Sequence, residues 1–393
     1  MPANKYRWII LLMVYVCMLV YAFTLQSLPP VLTLIIKELR LTHAQAGSLM
    51  SLFTFPAIFF AIGAGLISDR WGSRKVGLIS FLLATMGTLL LLLGRTFPVA
   101  CLGRFLAGTG AVIISIVASK ALALWFQGRE LGTAMGIYNT AMPVGTIICF
   151  TTFGKLGESL GWRAPFFITA FVCIAGLAVF LILYKSAPDP LHEMDRKEGE
   201  MAGLFSRLTN IGILVWLAGL CWLWFNAAVI SFSTFAPDFF VSRGKSIEYA
   251  GFLTSLLMLG SLVLSPVIGR VIDKLGRNEI FIGVGGLILM FSLFLVSKST
   301  HFLFPMTIMA IAAGLIPTPV FSYLSKVLPH RDMGLGFGIL NTVSGVGMFF
   351  GPYVSGFIRD KTGSYETTFL FLALLSVLIP VTAVILRIKM KKT

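Results

Sequence analysis

A charged segment punctuated by glycines occurs twice in this otherwise apolar chain, and this repetition constrains the fold more than any other feature. The first copy runs from Gly65 to Lys75 and the second from Gly269 to Arg277. Their glycines and aspartates keep one spacing, since 269 − 65 and 273 − 69 both equal 204. Ala46-Gly47 and Ala250-Gly251 keep the same spacing of 204. A repeat of about half the chain length indicates two copies of one structural unit.

Composition places both copies in a membrane. The 393 residues are 57% hydrophobic and 12% charged, with a mean hydropathy of +0.91, whereas soluble domains carry ~25% charged residues. A helix needs ~20 apolar residues to cross a bilayer. We therefore predict an all-α integral membrane protein with twelve transmembrane helices in two six-helix pseudo-symmetric bundles. The predicted helices cover 8–33, 44–68, 76–95, 98–126, 131–153, 164–184, 209–235, 249–271, 280–297, 302–325, 334–357 and 367–388.

The distribution of basic residues predicts the orientation. With the N-terminus inside, 19 Lys and Arg residues face the cytoplasm and 10 face the other side, as expected from the positive-inside rule. Both termini should therefore be cytoplasmic in a multi-pass protein of the cell membrane. The net charge of +15 then reflects topology and the membrane surface, so we expect no nucleic-acid partner.

A polar interval divides the chain. Residues 186–207 carry two prolines and a mixed charge run, which is typical of a solvated cytoplasmic linker. We predict an N-terminal bundle over 1–185 and a C-terminal bundle over 208–393. A second duplication supports this division, because Arg129–Thr140 matches Arg331–Thr342 with a spacing of 331 − 129 = 202. Its paired glycines, one helical turn apart, favour close helix packing.

Two six-helix halves that each carry Gly-x-x-x-Asp-(Arg/Lys)-x-Gly after their second helix resemble the major facilitator superfamily of secondary transporters. The resemblance implies alternating access between the halves and assigns a gating role to this segment. Ser73 and Asn278 depart from the pattern. The gating residues that the resemblance implies are Gly65, Asp69, Arg70, Gly72 and Arg74 in the first copy, and Gly269, Asp273, Lys274, Gly276 and Arg277 in the second.

A further motif lies in the fourth predicted helix. Arg104-Phe-Leu-Ala-Gly108-Thr-Gly110 is similar to the Arg-x-x-x-Gly-x-Gly pattern of proton-linked members. The proline and glycine motif of drug antiporters, expected in the fifth helix, is matched only partly by Pro143-Val-Gly145. The resemblance thus allows proton coupling and gives less support to drug efflux.

Charges inside the membrane favour one class of solute. Away from the ends of the predicted spans, Arg104 and Lys120 are the basic residues, and no carboxylate lies at the middle of a span. A buried cation stabilises an anion, so we predict an anionic or neutral solute. The two side chains lie about 160° apart around the helix and should not bind one ligand together. Lys120 either lines the cavity or extends its charge to the interface beside Trp125.

Polar residues on the helices that line the central path of the superfamily are the candidate solute contacts. Pro317 and Pro319 should break the tenth helix and expose carbonyl groups toward this path. The predicted substrate-binding residues are Tyr15, Tyr21 and Gln26 on the first helix, Arg104 and Lys120 on the fourth, Trp222, Asn226 and Ser233 on the seventh, and Tyr323 on the tenth.

The leading hypothesis is a secondary transporter that moves a small organic anion through alternating access. The alternative is a proton-coupled multidrug antiporter, whose pocket would use the many Phe and Met side chains. An ATP-driven pump is excluded because Gly244-Lys245-Ser246 lacks the earlier glycine of a phosphate-binding loop, Phe239 occupying its place. A membrane enzyme would need a catalytic constellation, and none is present in the predicted spans. We expect no cofactor or metal, and a lipid-embedded monomer.

Overall fold

The computed structural model describes residues 3–126, 130–185, 211–328 and 333–390. In these ranges the chain forms fifteen α-helices and a short 3-10 turn at Pro29–Val31. The helices are α1 (Ala3–Gln26), α2 (Leu32–Leu39), α3 (His43–Trp71), α4 (Ser73–Leu93), α5 (Phe97–Trp125), α6 (Leu131–Leu160), α7 (Ala164–Leu183), α8 (Ile213–Ser242), α9 (Ile247–Leu275), α10 (Asn278–Lys298), α11 (Leu303–Leu315), α12 (Pro317–Val327), α13 (Met333–Thr362), α14 (Tyr365–Ser376) and α15 (Leu378–Met390).

Each predicted apolar stretch corresponds either to one helix or to two shorter helices separated by a break. Among the described residues, ten helical segments are long and apolar enough to cross a membrane. The helices α3 and α6, 29 and 30 residues long, pack lengthwise among them. The all-helical membrane fold is thus confirmed, while the count of twelve transmembrane helices stays a prediction. The predicted linker, 186–207, lies outside the described residues.

Three of the predicted stretches are interrupted. Because Pro29 and Pro30 have no amide hydrogen, α1 ends at Gln26, whereas the sequence predicts one continuous helix to residue 33. The tenth stretch breaks at Ile316, directly before Pro317, as predicted. The twelfth breaks at Val377, an interruption that the sequence analysis does not predict.

The repeat is visible in how the helices begin and end. Thr42 and Ser246, separated by 246 − 42 = 204, are the N-caps of α3 and α9, and each side chain accepts a backbone N–H three residues on. Gly72 and Gly276, with the same separation, follow these helices at φ of 83° and 68°. Only glycine adopts this backbone region without strain. The duplicated glycines therefore terminate equivalent helices.

The two halves of the chain contact each other along two helix pairs. We call α1–α7 the N-terminal half and α8–α15 the C-terminal half. Between them, α3 packs on α13, and α6 packs on α9. Successive long helices alternate in direction, so we name one end of the bundle the His43 end and the opposite end the Trp71 end. The sequence predicts that the Trp71 end is cytoplasmic.

Glycines bring these helix pairs into backbone contact. A β-carbon added to Gly47 on α3 would overlap with the carbonyl oxygen of Pro352 on α13, and one added to Gly251 on α9 would overlap with the carbonyl oxygen of Phe150 on α6. The two contacts are equivalent in the repeat, since 251 − 47 = 204 and 352 − 150 = 202. The interface between the halves therefore follows the duplicated sequence.

Large apolar side chains cover the periphery of the bundle. On α7, Phe167, Phe171 and Ile174 follow the helical period and are 65%, 66% and 52% exposed. A monomeric soluble protein rarely exposes such a continuous apolar stripe. This surface fits the hydrocarbon of a bilayer, in agreement with a multi-pass membrane protein.

Candidate functional site

Arg104 is fully buried at the junction of three helices in the N-terminal half. Its guanidinium donates hydrogen bonds to the carbonyl oxygens of Thr24 (2.7 Å) and Leu25 (3.4 Å) on α1 and of Leu49 (3.0 Å) on α3. It also lies 4.4 Å from the ring centroid of Phe53. Arg104 is therefore held by carbonyl dipoles and an aromatic face, so its contacts in this state differ from the direct solute contact that the sequence analysis predicts.

The sequence explains why these carbonyl groups are available. The carbonyl of Leu25 would normally accept from residue 29, but Pro29 carries no N–H. Arg104 takes the place of that donor, and its positive charge meets the negative end of the α1 dipole. The motif glycines allow the approach, because a β-carbon on Gly108 would overlap with the backbone of Phe53 on α3. Arg104 thus caps the C-terminal end of α1 inside the bundle.

The other predicted residues of the N-terminal half lie along α1 and α5. Tyr21 packs edge-on against Phe53, with ring centroids 6.1 Å apart, which places it beside Arg104. Gln26 is completely buried, and neither amide atom has a hydrogen-bond partner among the described groups. Tyr15 accepts a hydrogen bond of 3.4 Å from Thr140 on α6. Lys120 is half-buried on α5.

The predicted residues of the C-terminal half lie on α8 and α12, and Trp222 belongs to an aromatic group there. Trp222 stacks on Phe225 at 5.3 Å and meets Phe321 edge-on at 5.1 Å. The amide nitrogen of Asn226 donates to the Trp222 carbonyl at 2.8 Å. Ser233 likewise bonds to its own helix, donating to the carbonyl of Ile230 at 3.1 Å.

Tyr323 on α12 is 1% exposed, and its hydroxyl lacks a hydrogen-bond partner in the described part of the chain. Unpaired buried polar groups are costly, by roughly 1–3 kcal/mol, and a bound solute or an ordered water is one way to satisfy them. Gln26 and Tyr323 share this property, and they belong to opposite halves. Together with Tyr21 and Trp222 they form the candidate solute-binding set.

The gating segments occupy the Trp71 end. Gly65, Asp69, Arg70, Gly269 and Asp273 lie in the last turns of α3 and α9, and the side chains of Asp69, Arg70 and Asp273 lie outside the described part of the structure. The guanidinium of Arg74 donates to the carbonyl of Leu181 on α7 at 3.4 Å. Lys274 and Arg277 are exposed. Their role as a gate stays a prediction.

The second gating segment is tied to α12 through Asn278, where the sequence departs from the family pattern. The buried Asn278 amide donates to the carbonyl of Pro319 at 2.9 Å and to the hydroxyl of Ser322 at 2.6 Å. Lys326 donates back to the Asn278 oxygen at 2.5 Å and to the Gly276 carbonyl at 3.3 Å. The half-helix α12, which carries Tyr323, is therefore fastened to the loop between α9 and α10.

The His43 end holds a polar group that the sequence analysis does not identify. His43 at the start of α3 lies between Asp360 on α13 and Asp238 on α8, with nitrogen–oxygen distances of 3.0 and 3.5 Å. One signal was available, because Asp360 lies in the last turn of its helix, where the dipole disfavours a negative charge unless a partner is near. Its partner is the N-terminus of α3 on the other half.

Comparison with known proteins agrees with this architecture. The sequence matches the family description "Major Facilitator Superfamily" over residues 14–246 and 227–393. The chain also resembles a bacterial homologue of the human lysosomal transporter Spinster, solved in an inward-facing and occupied conformation, with a TM-score of 0.80 and 15% identity over 98% of this chain and 97% of that one. At this identity the likeness shows the fold alone.

Three curated relatives are similar over most of their length. The lysosomal dipeptide transporter MFSD1 of Danio rerio is 21% identical, covering 93% of this chain and 84% of the relative. The probable sulfoacetate transporter SauU of Cupriavidus necator is 23% identical, covering 86% and 84%. The probable galactarate/D-glucarate transporter GudP of Bacillus subtilis is 25% identical, covering 94% and 90%. With its duplicated helix ends, its paired interfaces between halves and a family match over nearly its whole length, this chain is a member of the major facilitator superfamily.

Proposed function

We propose that this protein is a secondary transporter that moves a small organic anion across the membrane, with its two halves rocking about a site between them. The observation that carries the proposal is the environment of Arg104. Its described partners are carbonyl oxygens, a thioether and an aromatic ring. These groups solvate the guanidinium without cancelling its net charge, so a positive potential persists in a region of low dielectric.

Two of the relatives support the class of solute. Sulfoacetate and galactarate or D-glucarate, named for the relatives from Cupriavidus necator and Bacillus subtilis, are organic anions with two acidic groups. The dipeptide named for the relative from Danio rerio is zwitterionic and also carries a carboxylate. A carboxylate is therefore the chemical group that these named solutes share, and Arg104 supplies the matching charge.

Within this proposal the residues have separate roles. Gln26 and Tyr323 supply unpaired hydrogen-bonding groups from the two halves, while Tyr21 and Trp222 supply aromatic walls. Arg104 acts as a positioning residue that fixes the end of α1 and provides the field. Tyr15, Asn226 and Ser233 bond to other protein groups in this state, so they would contact the solute only after rearrangement. Lys120 is either a second cation of the path or an interfacial anchor.

The setting of the transporter follows the predicted topology. Both termini face the cytoplasm in the cell membrane, and the duplicated segments form the gate at the Trp71 end. A single copy contains both halves of the path, which supports a monomer surrounded by lipid. Protons supply the driving force in this proposal.

A dye that reports internal pH in proteoliposomes tests solute and coupling together. The vesicles are challenged in turn with small mono- and dicarboxylates and with lipophilic cations. We expect acidification with a carboxylate, beyond the leak of empty vesicles, in the native protein and in the control Arg95→Gln, which alters an exposed residue at the His43 end. Arg104→Gln should abolish it. Alkalinisation of acid-loaded vesicles by lipophilic cations would contradict the anion proposal and favour the multidrug antiporter.

A further inference from the structure

The His43 end of the bundle is closed by a charged cluster that joins the two halves. The His43 cluster comprises five side chains, His43 on α3, Asp238 on α8, Arg359 and Asp360 on α13, and Tyr365 on α14. The Asp360 carboxylate accepts the backbone N–H groups of His43 (2.9 Å) and Ala44 (2.8 Å). A carboxylate from the C-terminal half thus caps the first turn of a helix in the N-terminal half, where the dipole favours a negative charge.

The two ring nitrogens of His43 each face a carboxylate. Its Nδ1 lies 3.0 Å from Asp360, and its Nε2 lies 3.5 Å from Asp238. Neutral imidazole has one N–H and can donate to one carboxylate, whereas imidazolium has two. Since both ring nitrogens face carboxylate oxygens, the protonated ring is the form that can donate to both.

The remaining groups that face the ring define the charge of the cluster. Tyr365 donates its hydroxyl to Asp238 and lies edge-on to His43, with ring centroids 5.7 Å apart. The guanidinium of Arg359 lies 4.6 Å from the Tyr365 ring centroid. With His43 protonated, two positive charges balance the two carboxylates. Loss of the proton leaves a net negative charge between helices that touch.

The backbone around the cluster has little room to adapt. A β-carbon on Gly356, one turn before Asp360, would overlap with the carbonyl of His43. The half-buried ring of His43 is also packed against Phe235. Tight packing makes an interface switch between two arrangements instead of deforming gradually. A change of charge in the cluster would therefore shift the equilibrium between contact and separation of the two halves at this end.

We infer that His43, held between Asp238 and Asp360, is a proton-binding site that latches the two halves together at the His43 end. This inference rests on the proposed alternating-access transport. A proton bound to His43 stabilises the state closed at this end, and its release lowers the stability of that state. Protonation from this side would thus favour the conformation open at the Trp71 end, which is the coupling that a proton-driven carrier requires.

Closure at the His43 end should weaken as pH rises. The latch is complete when the imidazole is charged, so the closed state dominates at low pH and loses stability as pH rises through the titration of His43. Asp238 and Asp360 each have a hydrogen-bond donor besides the ring, which keeps the carboxylates in place after the proton leaves.

Distance measurements between spin labels at this end test the latch without any solute. Labels at Arg95 and Thr300, both exposed and on opposite halves, are introduced as cysteines into a Cys101→Ser background. We expect the ratio of separated to close populations to rise by up to about ten-fold from about pH 5.5 to about pH 8.5, which is the limit for a difference of one unit in proton affinity between the two states. His43→Gln should flatten this response, while the control His301→Gln, an exposed histidine at the same end, should keep it.

A second variant guards against a change caused by misfolding. Asp360→Asn preserves an oxygen for the backbone N–H groups but removes the charge, so its response should shift to lower pH. An unchanged response in both variants, or no response in the native protein, would overturn the latch. Either result would leave organic-anion uptake intact, whereas a pH-dependent latch without uptake of any carboxylate would instead count against the proposed function.

Discussion

Gly47 on α3 lies so close to Pro352 on α13 that the backbone carbonyl of Pro352 occupies the space a β-carbon would need. The equivalent contact in the repeat joins Gly251 on α9 to Phe150 on α6. Each contact pairs a helix of one half with a helix of the other. The backbones of the two halves therefore meet at equivalent positions of the repeat, and a rocking motion would have to preserve or separate these contacts.

The first prediction concerns these contacts. Gly47→Ala should lower the free energy of unfolding by about 1–3 kcal/mol, because the added methyl group must displace a backbone carbonyl in a packed interface. Thermal unfolding in detergent measures the change. Gly136→Ala is the matched control, since Gly136 also lies in a long helix and a β-carbon there would meet open space. The free energy of unfolding of this variant should stay within about 0.5 kcal/mol of the native value. Equal stability of the two variants would contradict the contact.

The second prediction separates geometry from charge at Arg104. Arg104→Lys should lower the initial rate of anion uptake at least about ten-fold, because a lysine ammonium is a point charge that does not reproduce the planar fork of donors. The same substitution at the exposed Arg95 should leave uptake unchanged. If Arg104→Lys transports at the native rate, the positive charge alone suffices and the capping role of Arg104 is wrong.

The third prediction uses the unpaired amide of Gln26. Gln26→Leu replaces a buried polar group by an apolar one of similar volume, so the unfolding temperature should rise or stay the same. If Gln26 binds solute, the KM of uptake should nevertheless increase by about ten-fold, the loss of one good hydrogen bond. Unaltered KM together with higher stability would remove Gln26 from the site.

The fourth prediction addresses the attachment of α12. The double-mutant cycle of Asn278→Ala and Lys326→Ala should show a coupling energy of about 0.5–3 kcal/mol, since the two side chains share a partly buried hydrogen bond. The exposed pair Lys155 and Glu248, 3.3 Å apart across the halves, provides the comparison, with an expected coupling of ~0–1 kcal/mol. Chemical unfolding in detergent gives both values, and a weaker coupling for the Asn278 pair would contradict its structural role.

Much of the fold follows from local sequence. Apolar length predicts the helices, and the duplicated glycines and caps mark equivalent ends, such as Thr42 with Ser246. These features depend on residues within a few positions of each other, because a capping side chain bonds to a backbone N–H of the same helix end. The break at Ile316 is predictable for the same reason, since Pro317 removes a donor.

The contacts of the candidate site are harder to predict from the sequence. The sequence indicates that Arg104 is an interior cation. Its partners, however, are backbone carbonyls of residues about 55 to 80 positions away, and carbonyls carry no sequence signature. The His43 cluster joins residues up to 365 − 43 = 322 positions apart. Its members stand near helix ends, where a charge is usually solvated, so spacing alone cannot distinguish a latch from a surface residue.

Counterflow of an organic anion is the sharpest test of transport by alternating access. Proteoliposomes loaded with millimolar unlabelled D-glucarate, and in a parallel series with sulfoacetate and other small carboxylates, are diluted into trace amounts of the labelled solute without any ion gradient. Alternating access to an anion site predicts a transient accumulation of label that Arg104→Gln abolishes and Arg95→Gln retains. Absence of accumulation for every carboxylate, with accumulation of a lipophilic cation in the same vesicles, would contradict the account.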